Sequence, residues 1–189
     1  MRREYPRASE AGEALQISVV DAADLTSQER AEVLALCTEA YEEDFTSELE
    51  LLVDATHLLA RVDGELVSHA AYVPRELRVG DAGAPLHCAY VEAVATRVRW
   101  QGLGYGSTVM RAIPPLLATF DIAALSPSDE GFYSRLGWLM WRGPRRYLQD
   151  GVRVETPEEE VMVYRLVRTT AGIDLEETLE IDWRPGEVW

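Results

Sequence analysis

Residues 86–107, LHCAYVEAVATRVRWQGLGYGS, constrain the fold more than any other stretch of the chain. Leu86–Thr96 is the longest run that reads as a strand. Gly102, Gly104 and Gly106 follow at alternate positions, and a periodic apolar segment comes next. Strand, bare loop and helix in that order demand a parallel crossover, with a neighbouring strand downstream. Ile122–Leu125 (IAAL) supplies one. Glycine lets a backbone turn so that successive N–H groups converge at a helix start, where four amide donors lack partners. That makes a cradle for a phosphate or pyrophosphate. A P-loop is excluded, because no Gly-Lys-Ser/Thr closes the run. A dinucleotide fingerprint is excluded by the Gly-x-Gly-x-Gly spacing and by the lack of a preceding parallel βαβ half. A plain strand-to-helix turn remains the competing explanation.

The rest of the chain reads as alternating elements. Leu15–Val20 is a first strand, and Thr26-Ser27-Gln28-Glu29 fits a capping box. The helix after it places Val33, Leu34, Cys37, Ala40 and Tyr41 on one face, and a short second helix begins near Ser47. His57–Val62 and Glu65–Val73 flank Asp63-Gly64, a type I′ hairpin signal. Pro74 is expected to interrupt the second run, with Glu76–Val79 resuming it. The helix after the glycines should reach toward Ala118 and be kinked or shortened by Pro114-Pro115. Gly131–Leu136 suits a short helix and Val161–Val167 a late strand. The order predicts an α/β domain of the α+β kind with a mixed sheet. No repeat or interdomain linker is visible, so residues 15–189 read as a single domain and residues 1–14 as a mobile tail.

Composition narrows the function classes. The chain has 189 residues, of which 47% are hydrophobic, enough for one good core. No apolar run is long enough to span a membrane, and the N-terminus lacks a secretory h-region. Cys37 and Cys88 lie in apolar segments and read as reduced core thiols of a cytoplasmic protein; no cluster has zinc-ligand spacing, so no metal is expected. The net charge of −15 argues against nucleic acid and favours a cationic ligand. Acids cluster at Glu42-Glu43-Asp44, at Glu158-Glu159-Glu160 and along the C-terminal segment. Glu92 is a carboxylate in an apolar strand, so it either meets a cation or faces a wet cleft. Alternation puts it on one face with Tyr90 and Val94.

The long strand leading into Gln101-Gly102-Leu103-Gly104-Tyr105-Gly106 resembles the GNAT superfamily of acetyl-CoA-dependent acyltransferases, and GFYSRLGW resembles its final motif. HCAYVEAVATR, RWQG, ALS, LGWLMWRGP, TPEEE and the terminal DWRPGEVW together resemble the aminoglycoside 2′-N-acetyltransferases, from the first strand to the last residue. The resemblance implies a GNAT fold: a central, mostly antiparallel sheet with one splayed parallel pair, flanked by helices. It implies acetyl-CoA as cofactor, an aminoglycoside as substrate and a homodimer. Gln101, Gly102, Leu103, Gly104, Tyr105, Gly106 and Ser107 would hold the pyrophosphate, and Val94, Ala95 and Thr96 would pair with the pantetheine arm. The backbone N–H near Val94 would polarise the thioester carbonyl.

Attack by an amine on a thioester needs a proton acceptor, a donor for the departing thiolate and a donor for the developing oxyanion. The base is Glu92, the carboxylate of the terminal Trp189, or water; Tyr133 is the candidate acid. The resemblance also implies substrate contacts from Asp44, Glu92, Ala93, Ser126, Glu158, Glu159, Glu187 and Trp189, with the C-terminal segment returning to the active site. Two departures from the family pattern touch the substrate side. The Ser126–Tyr133 segment is shorter and carries Pro127, and an acid expected after Asp44-Phe45-Thr46 is displaced to Glu48 or Glu50. Two further readings are a GNAT enzyme for another amine, such as a polyamine or peptide N-terminus, and a non-catalytic coenzyme A- or drug-binding module.

Overall fold

The apolar runs Thr56–Val62, Glu65–Val79 and Ile122–Leu125 form strands buried along most of their length. The computed structural model describes residues 3–8, 14–186 and 188–189, with side chains from residue 15 onward. The chain divides into two compact units, one of residues 1–73 with 91–113 and one of residues 74–90 with 114–189.

In the first unit, β1 (Arg3–Ala8), β2 (Ala14–Asp21), β3 (Thr56–Val62) and the start of β4 (Glu65–Val79) pair in sequence order, each antiparallel to the last. Asp63 and Gly64 join β3 to β4 at φ 49° and 84°, the two left-handed residues of a type I′ turn. Between β2 and β3 run α1 (Ser27–Tyr41) and α2 (Thr46–Leu51). The capping box of α1 is complete: the Glu29 N–H donates to Thr26 Oγ1 at 3.1 Å and the Thr26 N–H donates to Glu29 Oε2 at 3.0 Å. Such a cap contributes about 1 kcal/mol. Val33, Leu36 and Cys37 of α1 are buried, with Val20, Leu58 and Leu59 among the core residues of this unit. The second half of β5 (Leu86–Thr96) and α3 (Tyr105–Ala112) complete it. Helix α3 stops before Pro114, where a single 3₁₀ turn, Pro114–Leu116, replaces the expected continuation.

In the second unit, β5 pairs in parallel with β6 (Ile122–Leu125) over Cys88–Tyr90. Strand β6 pairs with β10 (Met162–Arg165), and β10 with β7 (Leu139–Met140), both antiparallel. Helix α4 (Glu130–Ser134) precedes β7. A second ladder joins β9 (Val152–Glu155), β8 (Arg145–Gln149), β11 (Leu179–Asp182) and the end of β4. Its core includes Leu77, Cys88, Ile122, Trp141, Val163 and Ile181. Burial pushes the Cys37 thiol up to about 12 and raises that of Cys88 too, and both are free thiols.

The mixed sheet with flanking helices is the predicted class, and the details differ in four places. Arg3–Ala8, expected within a mobile tail, is strand β1, because the backbone groups on the open edge of β2 offer a partner; residues 1–2 and 9–13 of that tail lie outside the described residues. Pro74 does not interrupt β4. The β3 register ends at Tyr72 and the β11 register begins at Leu77, so the missing N–H falls in neither of those two ladders. The parallel pair β8–β11 joins the parallel pair expected around the glycines. The hairpin β8–β9 was not foreseen, although its turn, Asp150-Gly151 at φ 50° and 78°, repeats the chemistry of Asp63-Gly64.

The hairpin β3–β4 buries His57 and His69, which are 1% and 0% exposed. Desolvation lowers His57 to about 4, helped by the charge of Arg30. Desolvation lowers His69 to about 3, helped by His57 and opposed by its bond to the Ala93 carbonyl. Both values lie below that of an unfolded histidine, so the folded state favours the neutral rings. Their contribution is whole above about pH 6.5 and is lost as pH falls toward 4 and then 3. Urea unfolding at pH 7 and pH 4.5 should show a loss larger by roughly 5 kcal/mol in the wild type than in a His57→Asn/His69→Asn variant. An equal pH dependence would mean the rings are not held neutral.

Candidate active site

The glycine loop takes its shape from two residues. Gly102 and Gly104 sit at φ 76° and 85°, a region costly for residues with a side chain. Gly104 is the N-cap of α3, and Thr108 returns the first helical bond to its carbonyl at 3.0 Å. The amides of Tyr105, Gly106 and Ser107 therefore start the helix at its positive end. A Cβ built on Gly102 or Gly104 would meet nothing within 4 Å, so the loop is open on that side. Gln101, Leu103 and both glycines are exposed, while Tyr105 is buried and packs edge-on against Trp100 at 5.6 Å. An open loop of amides at the head of an eight-residue helix fits an extended anionic group such as a coenzyme pyrophosphate.

The link from strand to loop is pinned. Arg97 donates to Glu39 at 2.7 Å and to the Leu66 carbonyl at 2.9 Å, and the Val98 N–H donates to Glu39 at 3.0 Å. The end of β5 is held more closely still. His69 Nδ1 lies 2.8 Å from the Ala93 carbonyl oxygen, Tyr41 OH donates to that of Val94 at 3.1 Å, and Ser68 Oγ donates to that of Ala95 at 3.0 Å. Gln101 Nε2 donates to that of Thr96 at 3.1 Å. Ala93 has φ 52°, so the strand changes hand locally at the first of these four pinned carbonyls. Glu92 is half-buried between buried Val91 and Ala93.

Asp44 is exposed, beyond the end of α1. Hydrogen bonds from the Thr46 hydroxyl at 2.6 Å and the Thr46 N–H at 3.1 Å hold its carboxyl below the usual range, so it is a charged acceptor at neutral pH. Phe45 is stacked on Tyr41 with centroids 5.2 Å apart.

In the second unit, Tyr133 is 4% exposed on α4 and bonds Ser128, with Trp138 edge-on at 6.3 Å. Burial raises its phenol above the ordinary tyrosine value, so the hydroxyl keeps its proton at neutral pH. Trp189 is 5% exposed, and its indole N–H donates to Thr156 Oγ1 at 2.8 Å. Arg75 holds the segment ahead of it. The guanidinium donates to the Val188 carbonyl at 3.0 Å, to Asp182 Oδ1 at 3.2 Å and to the Asp182 carbonyl. Arg75 also lies 5.8 Å from the Tyr90 ring centre, and Tyr90 OH shares a 3.0 Å hydrogen bond with Ser126 Oγ. Ser126, Tyr90, Arg75 and the C-terminal segment thus form one connected set. Sequence reasoning missed Arg75, Tyr90, Thr156 and Asp182 as members. Of these, only Arg75, a cation within an apolar strand, carried a readable signal. Glu158 and Glu159 are exposed, in a loop that Arg145 fastens through the carbonyls of Pro157 and Glu159 at 2.8 and 2.7 Å. Glu187 lies outside the described residues.

The GNAT acetyltransferase domain profile matches residues 21–140. An aminoglycoside 2′-N-acetyltransferase of Mycolicibacterium fortuitum is 38% identical over 178 residues, covering 90% of each chain. Among solved structures, an Escherichia coli GNAT N-acetyltransferase in complex with CoA is similar at TM-score 0.66 and 17% identity, covering 94% of each chain. A Brucella melitensis GNAT acetyltransferase in complex with acetyl-CoA is similar at TM-score 0.55 and 16% identity, covering 89% of this chain and 96% of that one. The structural likeness extends to the fold.

The loop geometry predicts the outcome of substitution at Gly104. Its space is open, so Gly104→Ala meets no clash and the penalty is conformational, roughly 1–2 kcal/mol. Thermal unfolding should show Gly104→Asn less destabilised than Gly104→Ala, because asparagine tolerates the left-handed region better. Equal loss in both would place the cost in packing.

Proposed function

Because the chain belongs to the aminoglycoside 2′-N-acetyltransferase family of the GNAT acetyltransferases, we propose that it transfers an acetyl group from acetyl-CoA to the 2′-amine of an aminoglycoside. The observation that carries the reading is the open glycine loop set directly after a strand end whose carbonyls are fixed. The loop amides from Gly102 to Ser107 would hold the pyrophosphate, and Val94–Thr96 would align the extended, amide-bearing arm as a strand aligns a neighbour. When bound, acetyl-CoA supplies a thioester whose C–S bond breaks as the C–N bond of the amide forms.

The protein groups divide the tasks of that exchange among them. Asp44, Glu158, Glu159, Glu187 and Glu92 offer carboxylates to a polycationic sugar, and the net charge of −15 draws such a ligand in. Ala93, Ser126 and Trp189 would be further contacts to that sugar. Glu92, directly or through water, takes a proton from the 2′-ammonium and frees the nitrogen lone pair. The Val94 N–H donates to the carbonyl oxygen as negative charge builds there. Tyr133 would give its phenolic proton to the departing sulfur and regain one, through water, as the acetylated nitrogen sheds its remaining proton; its burial keeps the phenol protonated beforehand. Residues 15–189 acting as one catalytic domain, a cytoplasmic setting and a homodimer belong to the same proposal, and sedimentation tests the dimer.

Thiol release from acetyl-CoA should occur with gentamicin, tobramycin, kanamycin B or kasugamycin and should exceed that with polyamines or peptide N-termini. No release with any of the four drugs would end the substrate assignment, and coenzyme binding without turnover on any amine would mean a binding module. Tyr133→Phe should lower kcat roughly 100-fold with coenzyme affinity unchanged. Deleting Val188-Trp189 should weaken drug binding and spare coenzyme binding; an equal loss of both would make the C-terminal segment purely structural.

A further inference from the structure

Two buried imidazoles stand behind the strand end that the proposed reaction uses. His57 on β3 and His69 on β4 are both buried, and His57 Nδ1 lies 3.0 Å from His69 Nε2. His69 Nδ1 lies 2.8 Å from the Ala93 carbonyl oxygen. A carbonyl oxygen only accepts, so His69 Nδ1 must carry the proton. In the neutral ring Nε2 then presents its lone pair, and His57 Nδ1–H donates to it. One chain of donation results, from His57 to His69 to Ala93. His57 therefore selects the tautomer that His69 needs.

The receiving carbonyl is not an ordinary one. Ala93 has φ 52°, which a residue with a side chain adopts only when its surroundings hold it there. The peptide that links Ala93 to Val94 is planar and trans, so the Ala93 C=O and the Val94 N–H point in opposite directions. A bond that draws the carbonyl toward His69 turns the Val94 N–H away from the buried ring. Tyr41 and Ser68 fix the next two carbonyls, at Val94 and Ala95, so the chain that follows this peptide is held as well.

We propose that His69, locked in one tautomer by His57, is a positioning residue for acetyl transfer, holding the Ala93 carbonyl so that the Val94 N–H is aimed at the thioester oxygen. The inference rests on the coenzyme placement proposed above. His69 touches neither the coenzyme nor the amine in this account; it acts through one peptide plane.

The test compares His69→Leu, which removes the donor, with His69→Asn, whose amide nitrogen falls near the position of Nδ1. Leucine should lower kcat roughly 10- to 100-fold, with coenzyme affinity by calorimetry and KM for the aminoglycoside within about twofold. Asparagine should restore most of the rate. Full kcat in His69→Leu, or no recovery in His69→Asn, overturns the proposal. Should either variant fail to fold, ¹⁵N resonances of the wild-type imidazoles decide it: both rings should be neutral at pH 7 with the proton on Nδ1. A proton on His69 Nε2 refutes the relay. Absence of acetyl transfer by the wild-type protein would remove the functional reading instead, and the resonances would still judge the hydrogen-bond chain.

Discussion

Four consecutive main-chain oxygens at the end of β5, from Ala93 to Thr96, each face a side-chain partner from elsewhere in the fold. A strand end with a change of hand at Ala93 would otherwise be free to fray or re-register. The partners come from β4, the last residue of α1 and the glycine loop, so these elements are fixed relative to one atom row. Each bond alone contributes about 1 kcal/mol, and their combined effect is geometric: no peptide in the row can rotate independently. A backbone donor needs that rigidity if it is to favour a developing charge, because a loose donor would have to reorganise during the reaction.

The second unit uses a different device for a similar end. Guanidinium groups there fasten main-chain carbonyls and a buried carboxylate. Arg75 binds two main-chain carbonyls and one carboxylate, and Arg145 binds three carbonyls, including that of Gly143 at 2.8 Å. Arg146 and Arg153 converge on buried Glu180, each at 2.7 Å. The guanidinium fork suits this work, since five fixed donors can satisfy several oxygens at once. The surplus of carboxylates therefore remains on the surface, as at Glu158 and Glu159.

Local signals carried well from sequence to structure. The capping box at Thr26, the turn at Asp63-Gly64, the break before Pro114 and the glycine loop each involve neighbours along the chain, so the deciding chemistry is written in a few adjacent letters. Asp150-Gly151 carries the same turn chemistry and passed unread, because its flanking runs RRYLQ and VRVE are charged and half-exposed, which hides the alternation. The candidate site divided in the same way. The glycine loop was legible, whereas Arg75 with Asp182, 107 positions apart, and Arg75 with Val188, 113 apart, were not. The His57–His69 contact is a diagonal across a hairpin with a register shift at Ala60/Arg61, so simple counting back from the turn misses it.

The grip on the C-terminal segment has an evolutionary corollary. Arg75 holds position 188 by its carbonyl, and a carbonyl is common to every amino acid. Mutational drift at that position is therefore cheap, while inserting or removing one residue between Asp182 and Trp189 would carry the indole off Thr156. At position 188, spacing rather than spelling is what selection has to guard.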